Sequence, residues 1–129
     1  MSDKFAVEII SPEKTILKTD ASEVILPSYE GEIGILKNHI PLITFLRPGL
    51  IKIKGSMEIM FFAEDGTVEF VKNNLLILTS TAYKLSEISK TYIEQLLNKS
   101  ETDIINAKLS DKEKYLLSHK IETLKNINL

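Results

Sequence analysis

Cysteine is absent from the 129 residues. That removes a disulfide framework, a thiolate metal site and a cysteine nucleophile together, and nothing points to an oxidising compartment. A basic excess is missing as well: 16 Lys and Arg against 18 Asp and Glu leave a formal net charge of −2. A nucleic-acid binder ordinarily carries a basic stripe and a membrane-surface segment a polybasic cluster, so neither reading is favoured. Long apolar runs are missing; stretches such as residues 75–78 fall far short of the roughly 18 residues a spanning helix requires. The opening Met1-Ser2-Asp3-Lys4-Phe5 has no signal-peptide core. Arginine is nearly missing, with Arg47 alone beside fifteen lysines; together with abundant Ile and Asn this reads as codon bias toward A and T. What remains, 43% hydrophobic and 26% charged residues, is an ordinary folded composition for one compact domain or two small ones.

Glycine and proline are confined to one part of the chain. The five glycines are Gly31, Gly34, Gly49, Gly55 and Gly66, the four prolines Pro12, Pro27, Pro41 and Pro48, and residues 67–129 contain neither. Turn formers therefore crowd the N-terminal part. Charge divides too: residues 1–85 carry 9 basic and 11 acidic side chains, residues 86–129 carry 7 of each. No repeat, low-complexity run or long linker interrupts the chain. Two units are expected, 1–85 and 86–129.

The first unit reads as short strands. Residues 5–10 are apolar and partly alternating, Ser11-Pro12-Glu13-Lys14 turns the chain, and 15–18 return it. Further runs lie at 23–26, stopped by Pro27, and at 33–36, 43–46, 50–54, 58–63, 67–71 and 75–79. Glu64-Asp65-Gly66 and Lys72-Asn73-Asn74 are hairpin-type turns. Strands recurring about every 8–12 residues imply a sandwich or barrel. The second unit reads as helix. Ser86 is placed as N-cap ahead of Glu87, whose carboxylate suits the helix dipole. Ile88, Tyr92 and Leu96, flanked by Ile93 and Leu97, form one apolar stripe. The polar residues 98–103 are expected to break this helix. A second helix is expected over 103–127, with Leu109, Leu116, Leu117, Ile121, Leu124 and Ile127 on its apolar side. Ser110-Asp111-Lys112-Glu113 has capping-box spacing and marks an alternative start. Two helices joined by a polar turn make an antiparallel hairpin.

Chemistry-bearing motifs are scarce. No phosphate loop, GxGxxG or GxSxG occurs. The two histidines are His39 and His119. His39, after a turn and before Ile40-Pro41, reads as a ligand or base, or more plainly as a residue that fixes a loop or touches a partner. His119 falls on the polar side of the second helix, where a solvated face is the plain reading. Glu30 and Glu32 resemble a carboxylate pair. Acid–base carboxylates need one raised pKa and a pocket, however, and these flank a glycine in a turn-rich segment. Asn98-Lys99-Ser100 matches a glycosylation sequon without a secretory context. No catalytic residue, metal site or cofactor is expected, and a binding or coupling module outranks an enzyme.

Residues 28–42 carry the pattern E-G-x-x-G-(I/L)-x-x-x-H-x-P-L, with Glu30, Gly31, Gly34, Ile35, His39, Pro41 and Leu42 in place. Pro48-Gly49 and a strand follow, and Val7-Glu8-Ile9-Ile10-Ser11-Pro12-Glu13 precedes. On these residues and the two-part organisation, the chain resembles the epsilon subunit of F-type ATP synthases over essentially its whole length. The resemblance implies a mainly β plus α fold: an N-terminal ten-stranded β-sandwich or flattened barrel, then a C-terminal antiparallel two-helix hairpin. It implies a non-catalytic rotor subunit of the proton-translocating enzyme, bound to the gamma subunit and the c-ring, peripheral to the cytoplasmic side of the bacterial inner membrane. The segment with Glu30, Gly31, Glu32, Gly34, His39, Pro41 and Leu42 matches the family's c-ring-facing loop, which makes these residues candidate c-ring or gamma contacts. In bacterial relatives the hairpin lies against the sandwich or extends along gamma toward the catalytic alpha and beta subunits, where it impedes ATP hydrolysis. Isolated helices of about 15 residues are marginal in water, so a hairpin offered two docking surfaces is a bistable element.

The chain departs from the family in places. Asp65-Gly66 stands where relatives often have Gly-Gly. Lys37-Asn38 stands where they often have Pro-Gly, and Asn only partly replaces Gly at positive φ. The helices carry lysine where relatives often have arginine, and lysine does not copy a bidentate fork. Some relatives hold ATP with an I-D-x-x-R-A motif. The matching stretch here, Ile88-Ser89-Lys90-Thr91-Tyr92-Ile93, keeps only the isoleucine, so no ATP site is expected at Ile88, Ser89, Tyr92 and Ile93. Two rival readings stand beside this one. One is a stand-alone β-sandwich interaction module with no ATP synthase role. The other is a small ligand-binding or hydrolytic domain built on His39 with Glu30 or Glu32, which requires a pocket joining those side chains.

Overall fold

The computed structural model describes residues 3–106 and 108–127. Met1 and Ser2, Ala107 inside the expected second helix, and Asn128 and Leu129 of the second unit lie outside the described residues. Ten strands and two helices are described: β1 (Phe5–Ile10), β2 (Thr15–Ala21), β3 (Glu23–Ser28), β4 (Gly31–Leu36), β5 (Leu42–Phe45), β6 (Gly49–Lys54), β7 (Glu58–Ala63), β8 (Thr67–Val71), β9 (Asn74–Leu78), β10 (Ala82–Lys84), α1 (Lys90–Asp103) and α2 (Asp111–Asn126). The strands form two sheets, ordered β2-β1-β9-β8-β5 and β10-β7-β6-β3-β4. Neighbours are antiparallel except β1 and β9, which run parallel.

Alternation makes the sandwich. In β6, Gly49, Ile51 and Ile53 are buried while Leu50, Lys52 and Lys54 between them are not, the period-two pattern of a pleated strand. Phe5, Val7, Ile9, Val68, Phe70, Leu75 and Ile77 of the first sheet meet Val24, Leu26, Ile35, Ile51, Ile53 and Phe61 of the second, each at most 2% exposed. The β8–β9 hairpin turns at Lys72 (φ 49°) and Asn73 (φ 60°), the pair of left-handed residues a tight type I′ turn requires. Pro27 does not stop β3, which continues to Ser28. The ladder with β6 ends at Ile25, so no donor is needed where proline lacks one, and Arg47 N–H donates to the Pro27 carbonyl at 2.9 Å. The tenth strand, only three residues long, is one that the run-by-run reading does not contain and the family resemblance does.

The second sheet is buried on part of its outer face as well, over β6, β7 and β10. Leu50 on β6 opposes Phe62 on β7, and Phe62 opposes Tyr83 on β10, making one apolar row across three strands. Phe62 points away from the sandwich core yet is fully buried, because Ile93 of α1 and Leu124 of α2 cover it, with Leu85, Ile88, Leu96, Leu97 and Ile127 packed around. Truncating a buried Phe of this kind ordinarily costs about 3–5 kcal/mol, which sets the scale of helix docking.

The helix ends correct the sequence reading at three points. The N-cap of α1 is Ser89, whose hydroxyl accepts from Tyr92 N–H at 3.1 Å, and not Ser86. Residues 84–88 instead form a turn, with Glu87 and Ile88 N–H donating to the Lys84 carbonyl, because Leu85 and Ile88 are pinned on the Phe62 cluster. Residues 98–103 do not break α1. Ser100 and Thr102 hydroxyls bond the Leu96 and Asn98 carbonyls four residues back (2.8 and 3.0 Å), so their polarity is satisfied within the helix. The second helix begins not at Asp103 but after N-cap Ser110, with the full capping box: Ser110 accepts from Glu113 N–H and Glu113 accepts from Ser110 N–H. The Ser110 backbone N–H, and then its hydroxyl, also hold the Glu113 carboxyl below its usual range. Leu109 therefore precedes α2 and does not lie on it.

Of the two motif glycines that flank Glu32, only Gly31 needs glycine. Its φ is +127° and the Ser28 hydroxyl donates to its carbonyl at 2.6 Å. A Cβ on Gly34 would meet only Glu23 Oε2, at an ordinary 3.7 Å. Gly31→Val is therefore expected to cost about 1–3 kcal/mol in chemical denaturation, and Gly34→Ala less than about 0.5 kcal/mol. Equal losses at both positions would remove backbone strain as the explanation.

Candidate functional site

The motif residues run from one end of the sandwich to the other: the turn with Glu30 precedes β4, and the 37–41 loop with His39 follows it. Glu30 sits exposed at the turn from β3 to β4, and Glu32 is exposed on β4 opposite Pro27. Gly34 is exposed, Pro41 is exposed, and Leu42 opens β5 half-buried against the core. The loop 37–41 joins β4 to β5. In it Asn38 is left-handed (φ 68°), the conformation glycine would take most freely. His39 N–H donates to the Leu36 carbonyl at 3.0 Å, its Nδ1 lies 2.7 Å from the Ile40 carbonyl, and its ring stands edge-on to Phe70 with centroids 6.0 Å apart. These contacts make His39 a loop-fixing residue. Glu32 lines a different space, a cavity of about 370 Å³ shared with Arg47, Lys52, His119 and Glu122. The pocket joining His39 to the carboxylates, which the hydrolytic reading requires, is not formed by these contacts. Among the described residues, no group of three His, Asp or Glu is placed to hold a metal.

A second constellation fastens α2 to the start of the motif segment. Tyr115 hydroxyl donates to the Tyr29 carbonyl at 2.9 Å, and Arg47 Nη1 donates to the Tyr115 hydroxyl at 3.1 Å. The Tyr115 and Tyr29 rings stack at 6.3 Å with planes 29° apart, and Lys112 Nζ lies 5.7 Å from the Tyr29 ring centre, within cation–π range. Lys120 forms an ion pair with Glu64. Nothing local in the sequence marks Tyr29 or Tyr115, which are 86 positions apart. Of Arg47 only its rarity is visible, and the plain reading of that rarity is codon usage.

His119 is not on a solvated face. It is half-buried, its ring edge-on to Tyr115 with centroids 4.6 Å apart, facing Arg47 of the sandwich and Glu122 of its own helix. One apolar stripe describes a helix with one neighbour. Here α2 touches both α1 and the sheet, so its covered arc is wider than its Leu and Ile residues.

The stretch that matches the nucleotide motif is engaged otherwise. Ser89 caps α1, Ile93 is buried on Phe62, and the Tyr92 hydroxyl lies 3.3 Å from the Tyr83 hydroxyl. That hydrogen bond, then burial, pushes the Tyr83 pKa up to about 12, so it stays a neutral phenol. A cavity of about 440 Å³ is lined by Tyr83, Ile88, Ser89 and Tyr92 with Lys84 and Glu87.

One row on the outer face of the first sheet is open and largely apolar, beside a row that carries Lys18, Glu8 and Glu69. Phe45, Thr67, Leu78 and Ile10 are successive register partners across β5, β8, β9 and β1, and Ile43 beside them is 77% exposed. Ile10, Pro12, Phe45 and Leu78 line a groove of about 540 Å³ there. Exposed apolar area of this kind marks interaction surface.

The docked helices carry a pH dependence. Burial, then the nearby Arg47 cation, holds the His119 pKa below the ordinary 6.5, with Glu122 pulling the other way. Undocking restores the ordinary value, so the undocked state binds more protons and docking weakens as pH falls. Helix protection in hydrogen exchange should be full above about pH 6.5 and decline as pH falls through the lowered docked-state value. The decline should be absent in His119→Gln, and an identical profile in both proteins would show that another group is responsible.

The geometry of a two-sheet sandwich with a covered and an open outer face is matched by known proteins. The family model described as ATP synthase, Delta/Epsilon chain, beta-sandwich domain matches residues 4–85. An ATP synthase epsilon chain of Pelagibacter ubique is 47% identical over 130 aligned residues, covering 99% of this chain and 100% of that one. A chloroplastic ATP synthase epsilon chain of Pyropia yezoensis is 34% identical, over 89% of this chain and 86% of that one. Among solved structures, a chain of the Euglena gracilis mitochondrial ATP synthase OSCP/F1/c-ring assembly superposes with a TM-score of 0.74 at 16% identity, over 97% of this chain and 79% of that one. On the family match and the full-length identity, the chain belongs to the ATP synthase epsilon-chain family, the non-catalytic accessory subunits of that membrane-associated enzyme.

Proposed function

We propose that the chain is the rotor subunit at the foot of the central stalk, joining the gamma subunit to the c-ring on the cytoplasmic side of a bacterial inner membrane. The observation that carries this reading is the division of its surfaces. The helices cover one outer face of the sandwich, while the other outer face and the motif loop stay open. A subunit held between two permanent partners needs two open surfaces. The open apolar face around Phe45 and Leu78 suits gamma. The turn and strand with Glu30, Gly31, Glu32 and Gly34 suit the polar heads of the c-ring, and His39, Pro41 and Leu42, beyond the far end of β4, are contact residues for the c-ring or gamma. The hairpin is the third, reversible element: docked on Phe62 in one state, reaching toward the alpha and beta subunits in the other, where it restrains hydrolysis. Docking worth a few kcal/mol leaves both states within reach of a partner's differential affinity.

The division of labour follows the unit boundary proposed at 85/86. A fragment of residues 1–85 is expected to keep the sandwich, copurify with gamma and support ion-coupled ATP synthesis, and to lose only the restraint on hydrolysis. The same fragment failing to assemble would make the helices structural. Copurification of the full chain with gamma also separates this reading from a stand-alone interaction module.

ATP is expected not to set the hairpin's state. Ser89 and Tyr92 offer neither the carboxylate nor the guanidinium of the relatives' motif. Charge-assisted hydrogen bonds are roughly twice as strong as neutral ones, so affinity should fall by several kcal/mol, about two powers of ten or more. Calorimetric titration of the purified chain checks this, and micromolar binding abolished by Ser89→Ala or Tyr92→Ala would overturn it.

A further inference from the structure

The turn from β3 to β4 draws its shape from outside its own hairpin. Tyr29 and Glu30 are the two residues between these strands. Two-residue hairpin turns that match strand twist put a left-handed residue at one or both central positions. Neither Tyr29 nor Glu30 is left-handed, and the positive φ falls one residue later, at Gly31 (+127°). Tyr29 is held by its neighbours instead. Its N–H donates to the Phe45 carbonyl at 3.1 Å, and its carbonyl accepts the Tyr115 hydroxyl of α2 at 2.9 Å. Arg47 donates to that hydroxyl oxygen at 3.1 Å, which leaves the hydroxyl proton for the carbonyl. The Tyr29 ring contacts Phe45 and Tyr115, with centroids 6.4 and 6.3 Å apart. Past the turn, Glu32 shares a cavity with His119 and Glu122 of the same helix. Helix α2 thus meets the chain on both sides of Glu30, and it does so only while the hairpin is docked.

We propose that Tyr115 is a positioning residue for the Glu30 turn: from the docked hairpin it shapes the turn for the c-ring, so that ring contact and hairpin docking strengthen each other. This inference rests on the rotor reading above. A turn already held in its contact shape binds without first losing backbone freedom, and that ordering cost is what a loose turn would subtract from affinity. Undocking withdraws the Tyr115 hydroxyl, leaves the Tyr29 carbonyl to water and loosens the turn. Linkage makes the effect reciprocal: the factor that docking adds to ring affinity is the factor that the ring adds to the docking equilibrium. A hairpin that swings toward the alpha and beta subunits therefore weakens the contact at the foot of the stalk, and a seated ring opposes that swing.

The test uses the complex of gamma with the full chain, and the c-ring in lipid nanodiscs. The readout is the affinity of that complex for the ring, with hydrogen exchange of the helices and the thermal midpoint measured in parallel. Tyr115→Phe keeps the stacked ring and removes only the hydroxyl. It is expected to weaken ring binding about threefold to tenfold, as for the net loss of one hydrogen bond, with gamma affinity and the thermal midpoint nearly unchanged. Leu124→Glu sets a charge against Phe62 and undocks the helices. It should weaken ring binding at least as much, and adding Tyr115→Phe to it should cost nothing further, because the contact is already broken. In the reciprocal direction, the ring should raise helix protection in the wild-type chain, and raise it less in Tyr115→Phe by the factor lost in ring affinity. Wild-type ring affinity in Tyr115→Phe would overturn the inference, as would a further loss when Tyr115→Phe is added to Leu124→Glu. If Leu124→Glu does not fold, Tyr115→Phe decides through ring affinity and helix protection. A wild-type chain that adds nothing to the affinity of gamma for the ring brings down the rotor reading, and this inference with it.

Discussion

The row Leu50–Phe62–Tyr83 is the contact on which the organisation of this molecule depends. A sandwich sheet ordinarily buries one face and solvates the other. Here three outward positions in register are apolar on adjacent strands, and leaving them wet would expose a contiguous patch. Ile93 and Leu124 close it, and in doing so they order two helices that would be marginal alone. The same row therefore both stabilises the helices and decides where they lie. The inter-sheet core, with Phe61 and its partners sealed between the sheets, is a separate cluster from this row, which is what supports the unit boundary proposed at 85/86.

Around that row the docked state is refined by polar contacts of a different kind. The Tyr29–Tyr115–Arg47 cluster, the Lys120–Glu64 pair and the Tyr83–Tyr92 contact lie at the partly exposed margin of the docked helices, where each bond exchanges with water and contributes about 1 kcal/mol or less. They select one orientation more than they add strength. Tyr29 is also the residue before Glu30, so the hairpin is fastened to the start of the segment proposed to face the c-ring. The two ends of the subunit's work are thus one residue apart in the chain.

The motif segment itself is built from backbone more than from charge. Gly31 and Asn38 are left-handed, His39 fixes its loop, and Leu42 anchors β5 in the core. Conserving the shape of such a loop needs few side chains with chemistry, which is why the segment offers recognisable residues without offering a catalytic pair. The epsilon-chain family membership fits the proposal above that this segment is a contact surface.

Strand positions were legible because a half-buried strand must alternate, and six of the nine connections between strands carry Gly, Pro or a Lys–Asn pair that only a few conformations accommodate. Residues 58–63 and 67–71 coincide with β7 and β8 for that reason. The Glu30–Leu42 pattern was legible as a family signature, since it is contiguous. Helix ends were less so. Two serines three residues apart offer equal caps, and packing of Leu85 and Ile88 on Phe62 chose the second. Polar residues 98–103 stayed helical because their hydroxyls bond backward along the helix. The hydrogen bonds by which Asn73 Oδ1 accepts the Asn38 N–H and Tyr115 fastens to the Tyr29 carbonyl left no trace in the sequence. Local propensity and periodicity are properties of neighbours within about a turn or a pleat, so the sequence by itself determined which segments are strand or helix and which face of each is apolar. Which apolar faces meet, and which polar side chains land beside one another at their margins, depends on strand order and register across the whole chain, and only the tertiary structure decided that.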